Sequence, residues 1–298
     1  MTNYKSGFVA VIGRPNVGKS TLMNELVGQK IAIMSPVAQT TRTKIRAIYT
    51  DEEAQIIFVD TPGLHKPLDK LGEYMVKAAE ESLKETDAVY FVTDATADFG
   101  AGERYILERL KNVAAPVILV INKIDLIGDG TKPEAMLPII KKYADKREFA
   151  AVVPVSAKND LNTAKLIAET KKLLPQGVKY YPDDYITDQP ERLIVAEIIR
   201  EKALLLTRDE VPHAIAVETE EMKKRGKKFY IRAVIYVEHE SQKGIVIGKK
   251  GSLLKEIGAA ARLDAKMLVG CDVYLDLWVK VKKDWRKKDG AIKNLGLS

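Results

Sequence analysis

Short apolar runs alternate with amphipathic stretches through the first 174 residues. Positions 8–12, 44–49, 55–59, 88–93, 117–121 and 151–155 are dense in Val, Ile, Ala and aromatic residues, the length and content of buried strands. Separating or following them, 20–26, 70–84, 102–111, 132–143 and 161–173 repeat apolar positions at helical spacing. Strands alternating with helices predict an α/β fold, a mostly parallel sheet with helices on both faces. The pattern stops near Leu174. The stretch 175–190 carries prolines, aspartates and tyrosines without a period and reads as a linker. A different order follows. Residues 191–206 predict a helix, and 211–218 and 228–238 predict strands. In the second strand Phe229, Ile231, Ala233, Ile235 and Val237 share a face. The polar run 221–228 reads as the turn between them. An apolar helix-like run, 241–247, precedes a glycine loop. A helix over 252–261, an alternating strand over 273–281 and a basic tail complete a smaller α+β unit, 191–298. In that last strand Val273, Leu275, Leu277, Val279 and Val281 are expected to face inward.

The totals agree with two domains. The chain has 298 residues, and a domain typically takes about 150. Apolar content of 46% and charged content of 30% suit a sizeable core under a solvated surface. The longest largely apolar run, 114–121, is far short of the ~20 residues of a membrane span, and no secretory signal is evident. A single cysteine, Cys271, excludes an internal disulfide and a cysteine metal site. A cytoplasmic location is the expectation. The net charge of +7 is unevenly placed: residues 220–298 hold 19 basic and 10 acidic side chains. A polyanionic partner for that region fits, although a solvated basic surface would give the same count.

Candidate chemistry begins in the loop Gly13, Arg14, Pro15, Asn16, Val17, Gly18, Lys19, Ser20, which fits G-x-x-x-x-G-K-[ST] between a strand and a helix. Its backbone amides and the helix N-terminus, continuing into Thr21, suit phosphate oxygens. Lys19 suits the β- and γ-phosphates, and the Ser20 hydroxyl suits Mg2+. Three further motifs each end a predicted strand. Asp60, Thr61, Pro62, Gly63 and Leu64 offer a carboxylate that can hold the metal through water and an amide, that of Gly63, for a γ-phosphate. Asn122, Lys123, Ile124 and Asp125 offer a carboxylate that accepts from the N1–H and amine of guanine, a pair adenine lacks. Ser156, Ala157 and Lys158 follow the last strand, with the Ala157 amide placed for the guanine oxygen. Ligands of open α/β sheets sit at this edge.

Four such motifs in this order resemble the translation-factor-like P-loop GTPases. The resemblance implies a switch threonine that closes on Mg2+. Thr40 and Thr41 are the candidates, and the arginine that follows, Arg42, favours Thr41. The candidate metal ligands are thus Ser20, Thr41 and Asp60. Relatives of the Ras type use a glutamine where this chain has Leu64, so slow intrinsic hydrolysis is expected. Some GTPases with this leucine hold K+ through an asparagine, here Asn16. His65 reads as an exposed switch residue rather than a general base. The expected catalytic set is Lys19, Thr41, Gly63 and Asn16.

The second glycine loop, Gly248, Lys249, Lys250, Gly251, is too short to cradle a nucleotide. The order helix, strand, strand, helix, G-x-x-G, helix, strand resembles a type II KH domain. Such a loop clamps about four single-stranded nucleotides. Lys249 and Lys250 would meet phosphates, Gly248 and Gly251 would allow close approach, Ile245 and Ile247 would line the groove, and Ser252 completes the candidate RNA-binding set. The runs 223–228 and 282–288 add either phosphate contacts or solvated turns. One GTPase domain followed by one type II KH domain resembles the Era-type GTPases of bacteria. That resemblance implies binding near the 3′ end of small-subunit (16S) ribosomal RNA, a role in small-subunit assembly, peripheral contact with the inner membrane face, and GTP or GDP as ligand. A monomer suffices. Two other classes compete. A membrane-associated signalling GTPase would use the basic domain for lipid headgroups. An ATP-driven RNA motor is opposed by Asp125 and the single nucleotide domain.

Overall fold

The computed structural model describes residues 3–37, 40–64, 67, 69–128 and 132–297, which fall into two compact units. The first takes in described residues of 1–32, 41–67 and 72–188. Its elements are β1 (Lys5–Gly13), α1 (Lys19–Val27), β2 (Ile45–Thr50), β3 (Ala54–Asp60), α2 (Lys70–Lys84), β4 (Ala88–Asp94), α3 (Ala101–Leu110), β5 (Val117–Asn122), α4 (Pro133–Ala144), β6 (Ala151–Pro154) and α5 (Thr163–Leu173). The sheet order is β2-β3-β1-β4-β5-β6. Only β2 runs antiparallel. Helices cover both faces, so a strand such as β1 can be apolar at successive positions. Val9 and Val11 pack into a cluster with Leu22 and Leu26 of α1 and Leu166 of α5. Ala10 and Ile12 pack on the other side with Val76 of α2, Ile106 of α3 and Met136 of α4.

Residues 175–188, whose composition reads as a linker, are fastened to this first unit. The Gln55 side-chain oxygen accepts from the Tyr180 and Tyr181 amides at 2.7 and 2.9 Å. The Ile48 amide donates to the Ile186 carbonyl at 2.8 Å, and Arg46 pairs with Asp188 at 2.7 Å. Polarity here reflects a strap lying on a surface.

The second unit takes in described residues of 33–40, 68–71 and 189–298. It contains α6 (Glu191–Leu206), α7 (Val211–Ala214), β7 (Ala216–Arg225), β8 (Lys228–Val237), α8 (Glu240–Ile247), α9 (Ser252–Val269), β9 (Asp272–Val281) and α10 (Asp289–Asn294). Its sheet order is β7-β8-β9, with β8 and β9 parallel. Ile231, Ala233, Ile235 and Val237 are fully buried against α6, α8 and α9. In β9, Val273 and Val279 are buried, while Leu275, Leu277 and Val281 are partly buried against the same core.

Three boundaries differ from the sequence expectation. Residues 211–214 form a helical turn, because Pro212 sits in its first turn where no amide is needed. The run 221–225 is strand, not turn. Its polar side chains belong to an exposed edge strand whose backbone pairs with β8 across a bulge between Thr219 and Glu221. The turn is only Gly226 and Lys227, with Gly226 at φ 61. Helix α9 runs on past 261 until Gly270, at φ 69, caps it.

Candidate functional site

The phosphate loop is shaped by what its glycines must clear. Gly18 has φ 93, and a Cβ there would lie 2.3 Å from the Asn122 amide nitrogen. A Cβ at Gly13 would lie 2.4 Å from the Val92 carbonyl oxygen. Helix α1 begins directly after Gly18, so its first amides face the loop. Lys19 is buried and curls into the loop, donating to the carbonyls of Gly13 at 3.2 Å and Arg14 at 2.9 Å. Burial brings its pKa down to about 8, against the opposing pull of the Asp60 charge.

Ser20, Thr41 and Asp60 converge. Ser20 Oγ lies 3.0 Å from Thr41 Oγ1 and donates to Asp60 Oδ2 at 2.9 Å, and Thr41 Oγ1 donates to the same oxygen at 3.3 Å. Thr40 turns elsewhere and donates to the Val37 carbonyl at 2.6 Å. Asp60 is fully buried, and that burial pushes its pKa up against Lys19, Ser20 and Thr41. Its Oδ1 is buried and accepts no hydrogen bond among the described residues. An orphaned buried carboxylate oxygen beside two hydroxyls is a hard-oxygen set that fits Mg2+.

The base-reading motifs assemble at the ends of β5 and β6. The Asn122 amide group donates to the Val17 carbonyl at 2.9 Å and accepts from the Ala157 amide at 3.0 Å, tying the phosphate loop to the 156–158 turn. Ser156 Oγ donates to Asp125 Oδ1 at 2.5 Å, orienting the carboxylate. Lys123 Nζ donates to the Asn16 carbonyl at 2.8 Å and to Asp94 Oδ2 at 2.6 Å. Thr61 Oγ1 donates to the Val11 carbonyl at 2.9 Å. Gly63 is buried beside Pro15, where a Cβ would lie 2.9 Å from the proline nitrogen. Leu64 is 1% exposed and belongs to the core with Ile12 and Val76. His65 lies outside the described residues.

Two residues that the motifs do not contain complete this edge. Glu103 of α3 accepts from Arg14 at 2.9 Å, and Asp94 ends β4 opposite Asn122. The signal available for Asp94 was an acid at the C-terminal end of a predicted strand lying between two motif strands. Glu103 had none, since an acid in the first turn of a helix is ordinary.

In the second unit, α8 ends at Gly248, with φ 72, and Lys249–Gly251 make a single 3-10 turn before α9. Lys250 and Gly251 adopt φ 54 and 79. A Cβ on Gly248 would lie 2.8 Å from Leu253. Lys249 and Lys250 are exposed, as is Ile245, while Ile247 packs partly into the core. The basic tail is divided in its behaviour. Trp285 is fully buried and donates from Nε1 to the Ala214 carbonyl at 2.8 Å, and Arg286 pairs with buried Glu238 at 2.6 Å. Lys283, Lys287 and Lys288 remain exposed.

Comparisons with known proteins cover both units. The family model described as "50S ribosome-binding GTPase" matches residues 8–123, and the KH domain model matches 210–286. A variant of Era from Aquifex aeolicus bound to GDP·AlF4− is 44% identical over 99% of both chains, with a TM-score of 0.93. A structure of Era in complex with MgGDPNP and nucleotides 1506–1542 of 16S ribosomal RNA matches at 44% identity over 99% of both chains, with a TM-score of 0.94. The first model's description and the 16S complex point to different ribosomal subunits. The model covers well under half of the chain, whereas the two Era structures match nearly all of it.

Proposed function

The chain belongs to the Era family of GTPases, and from that membership we propose that it hydrolyses GTP in its first unit and binds 16S ribosomal RNA near the 3′ end through its KH domain, as a switch in small-subunit assembly. The observation that carries this is the presence, in one chain, of an assembled guanine-nucleotide edge and a built G-x-x-G turn. Asn122 joins phosphate loop to base-reading turn, while Lys249 and Lys250 project from a glycine-bounded corner too small for a nucleotide.

Ser20, Thr41 and Asp60 would hold Mg2+, which supplies charge neutralisation across the β- and γ-phosphates. Lys19 exchanges its two carbonyl partners for phosphate oxygens and stabilises the charge that develops on them. The Gly63 amide would report a γ-phosphate. Leu64 neither donates nor accepts and is packed inward, so hydrolysis is slow unless another group orders the water. The Asn16 side chain, on an exposed loop residue at φ 65, is our candidate K+ ligand. It predicts faster turnover in KCl than in NaCl, lost in Asn16→Ala. We place the protein in the cytoplasm as a monomer that meets the small subunit, with peripheral membrane contact through the exposed tail lysines. No described helix is long and apolar enough to cross a membrane.

The test is GTP turnover with and without a single-stranded RNA of the 16S 3′ end, with RNA affinity read in the same titration. Tight binding is expected, lost in the Lys249→Asp, Lys250→Asp double variant while GTP binding persists. Unchanged RNA affinity in that variant would reject the clamp. RNA outcompeted by anionic vesicles would favour the lipid-binding alternative.

A further inference from the structure

We propose that Asp94 is a positioning residue for guanine nucleotide: it holds Lys123 against the phosphate loop and thereby fixes the backbone at Asn16. The inference rests on the GTPase reading of the first unit.

Asp94 is the last residue of β4, in register with Asn122 on β5, and the next amide, Ala95, donates to the Asn122 carbonyl at 2.8 Å. Its carboxylate cannot swing. Oδ1 is held by the Thr96 amide at 2.9 Å and the Thr96 hydroxyl at 2.7 Å. This leaves Oδ2 aimed at the Lys123 ammonium, 2.6 Å away. That ammonium also donates to the Asn16 carbonyl at 2.8 Å. One charge therefore bridges the base-reading segment and the phosphate loop.

Both residues it joins are held in an unfavourable backbone region. Asn16 and Lys123 each have φ 65, the left-handed well that side-chain-bearing residues rarely occupy. A conformation of that kind persists when its surroundings over-determine it. The Asp94–Lys123–Asn16 chain supplies the restraint. The pair is partly withdrawn from water, with Asp94 13% and Lys123 32% exposed, so it is screened less than a surface ion pair. Burial works against the Asp94 charge, but the Lys123 and Thr96 hydrogen bonds outweigh it and hold the carboxyl below its usual range.

The carboxylate stands behind Lys123, so its effect should fall on nucleotide retention and reach the chemical step only where Asn16 holds K+. The experiment measures release of a fluorescent GDP analogue, and kcat at saturating GTP, for the full-length protein and for Asp94→Ala, Asp94→Asn and Asp94→Glu. Asp94→Ala should release GDP roughly tenfold faster, Asp94→Asn several-fold faster and Asp94→Glu least, with kcat in NaCl, where Asn16 holds no K+, within about twofold of the parent. Adding Asp94→Ala to Lys123→Met should accelerate release by less than about twofold, because the intermediary is already gone. Asp94→Asn keeps the size of the side chain and its Thr96 contacts, so it decides the matter if Asp94→Ala fails to fold. Release within about twofold of the parent in the soluble variants would overturn the proposal. So would a full tenfold effect persisting in the Lys123→Met background. A parent protein that binds no guanine nucleotide would instead overturn the functional reading beneath it.

Discussion

Burial inside the phosphate loop brings the Lys19 ammonium from 10.5 down to about 8. The folded value lies below the unfolded one, so between pH 8 and 10.5 the unfolded chain binds more protons. The nucleotide-free fold therefore gains stability as pH rises through that window. Nucleotide affinity moves the opposite way. Only the charged ammonium attracts phosphate, so above pH 8 binding must take up a proton, and the Kd for GDP should climb toward roughly tenfold per pH unit. Calorimetry between pH 7 and 9, in buffers of different ionisation enthalpy, reads this directly. A flat Kd would show that Lys19 does not titrate there. Leu64 makes a second case. A glutamine is the familiar water-orienting residue at this place in a GTPase, yet here the side chain is core. Leu64→Gln should lower stability by roughly 1–3 kcal/mol, from burying an unpaired amide, without raising kcat. Faster hydrolysis in that variant would show that the side chain can reach the water. Residue types and spacings were enough to single out Lys19, Asp60, Asn122 and Asp125. Between Thr40 and Thr41 only the resemblance, through Arg42, favoured Thr41, because two adjacent hydroxyls are equivalent until the backbone turns one toward Ser20 and Asp60.

Elements set where those residues point. Helix α8, the 3-10 turn and α9 form a corner that needs three unusual dihedrals, at Gly248, Lys250 and Gly251. Gly248→Ala forces a Cβ to within 2.8 Å of Leu253 at a φ of 72. It should cost roughly 1–2 kcal/mol and weaken RNA binding, with GTP affinity unchanged. Full RNA affinity in Gly248→Ala would mean that the corner is not the clamp. The helices and central strands were legible because their periodicity is strong. The second half of β7 was not, since an exposed edge strand keeps its polar side chains and draws its order from pairing with β8. The single 3-10 turn at Trp285–Lys287 in the tail was hidden for a related reason. Trp285 looks like one aromatic residue among lysines, and only the Ala214 carbonyl, 71 positions away in sequence, explains its burial.

At the scale of the whole molecule, the two units have separate cores, with no buried residue shared between their clusters among the described residues. Trp285→Ala removes a fully buried indole from the second unit and should destabilise that unit by roughly 3–5 kcal/mol. Calorimetry should then show one transition moving while the nucleotide-dependent transition stays. Equal movement of both would mean that the units unfold together. RNA affinity should fall with salt, and the Lys249→Asp, Lys250→Asp variant should show a shallower slope, by roughly 0.7 for each phosphate that its side chains cease to neutralise.

The sequence by itself determined the two-unit plan, the order of motifs along the first sheet and the presence of a G-x-x-G corner. All three are local or periodic properties that a chain carries in its spacing. Tertiary structure decided the rest. It turned Thr41 toward Ser20 and Asp60 and Leu64 inward, strapped residues 175–188 onto the first unit, and placed Asp94 and Glu103 behind the phosphate loop. Each of these depends on groups brought together from positions distant in the chain. Spacing carries no record of such meetings, because the energy of an ion pair or a buried side chain belongs to the environment that folding assembles around it.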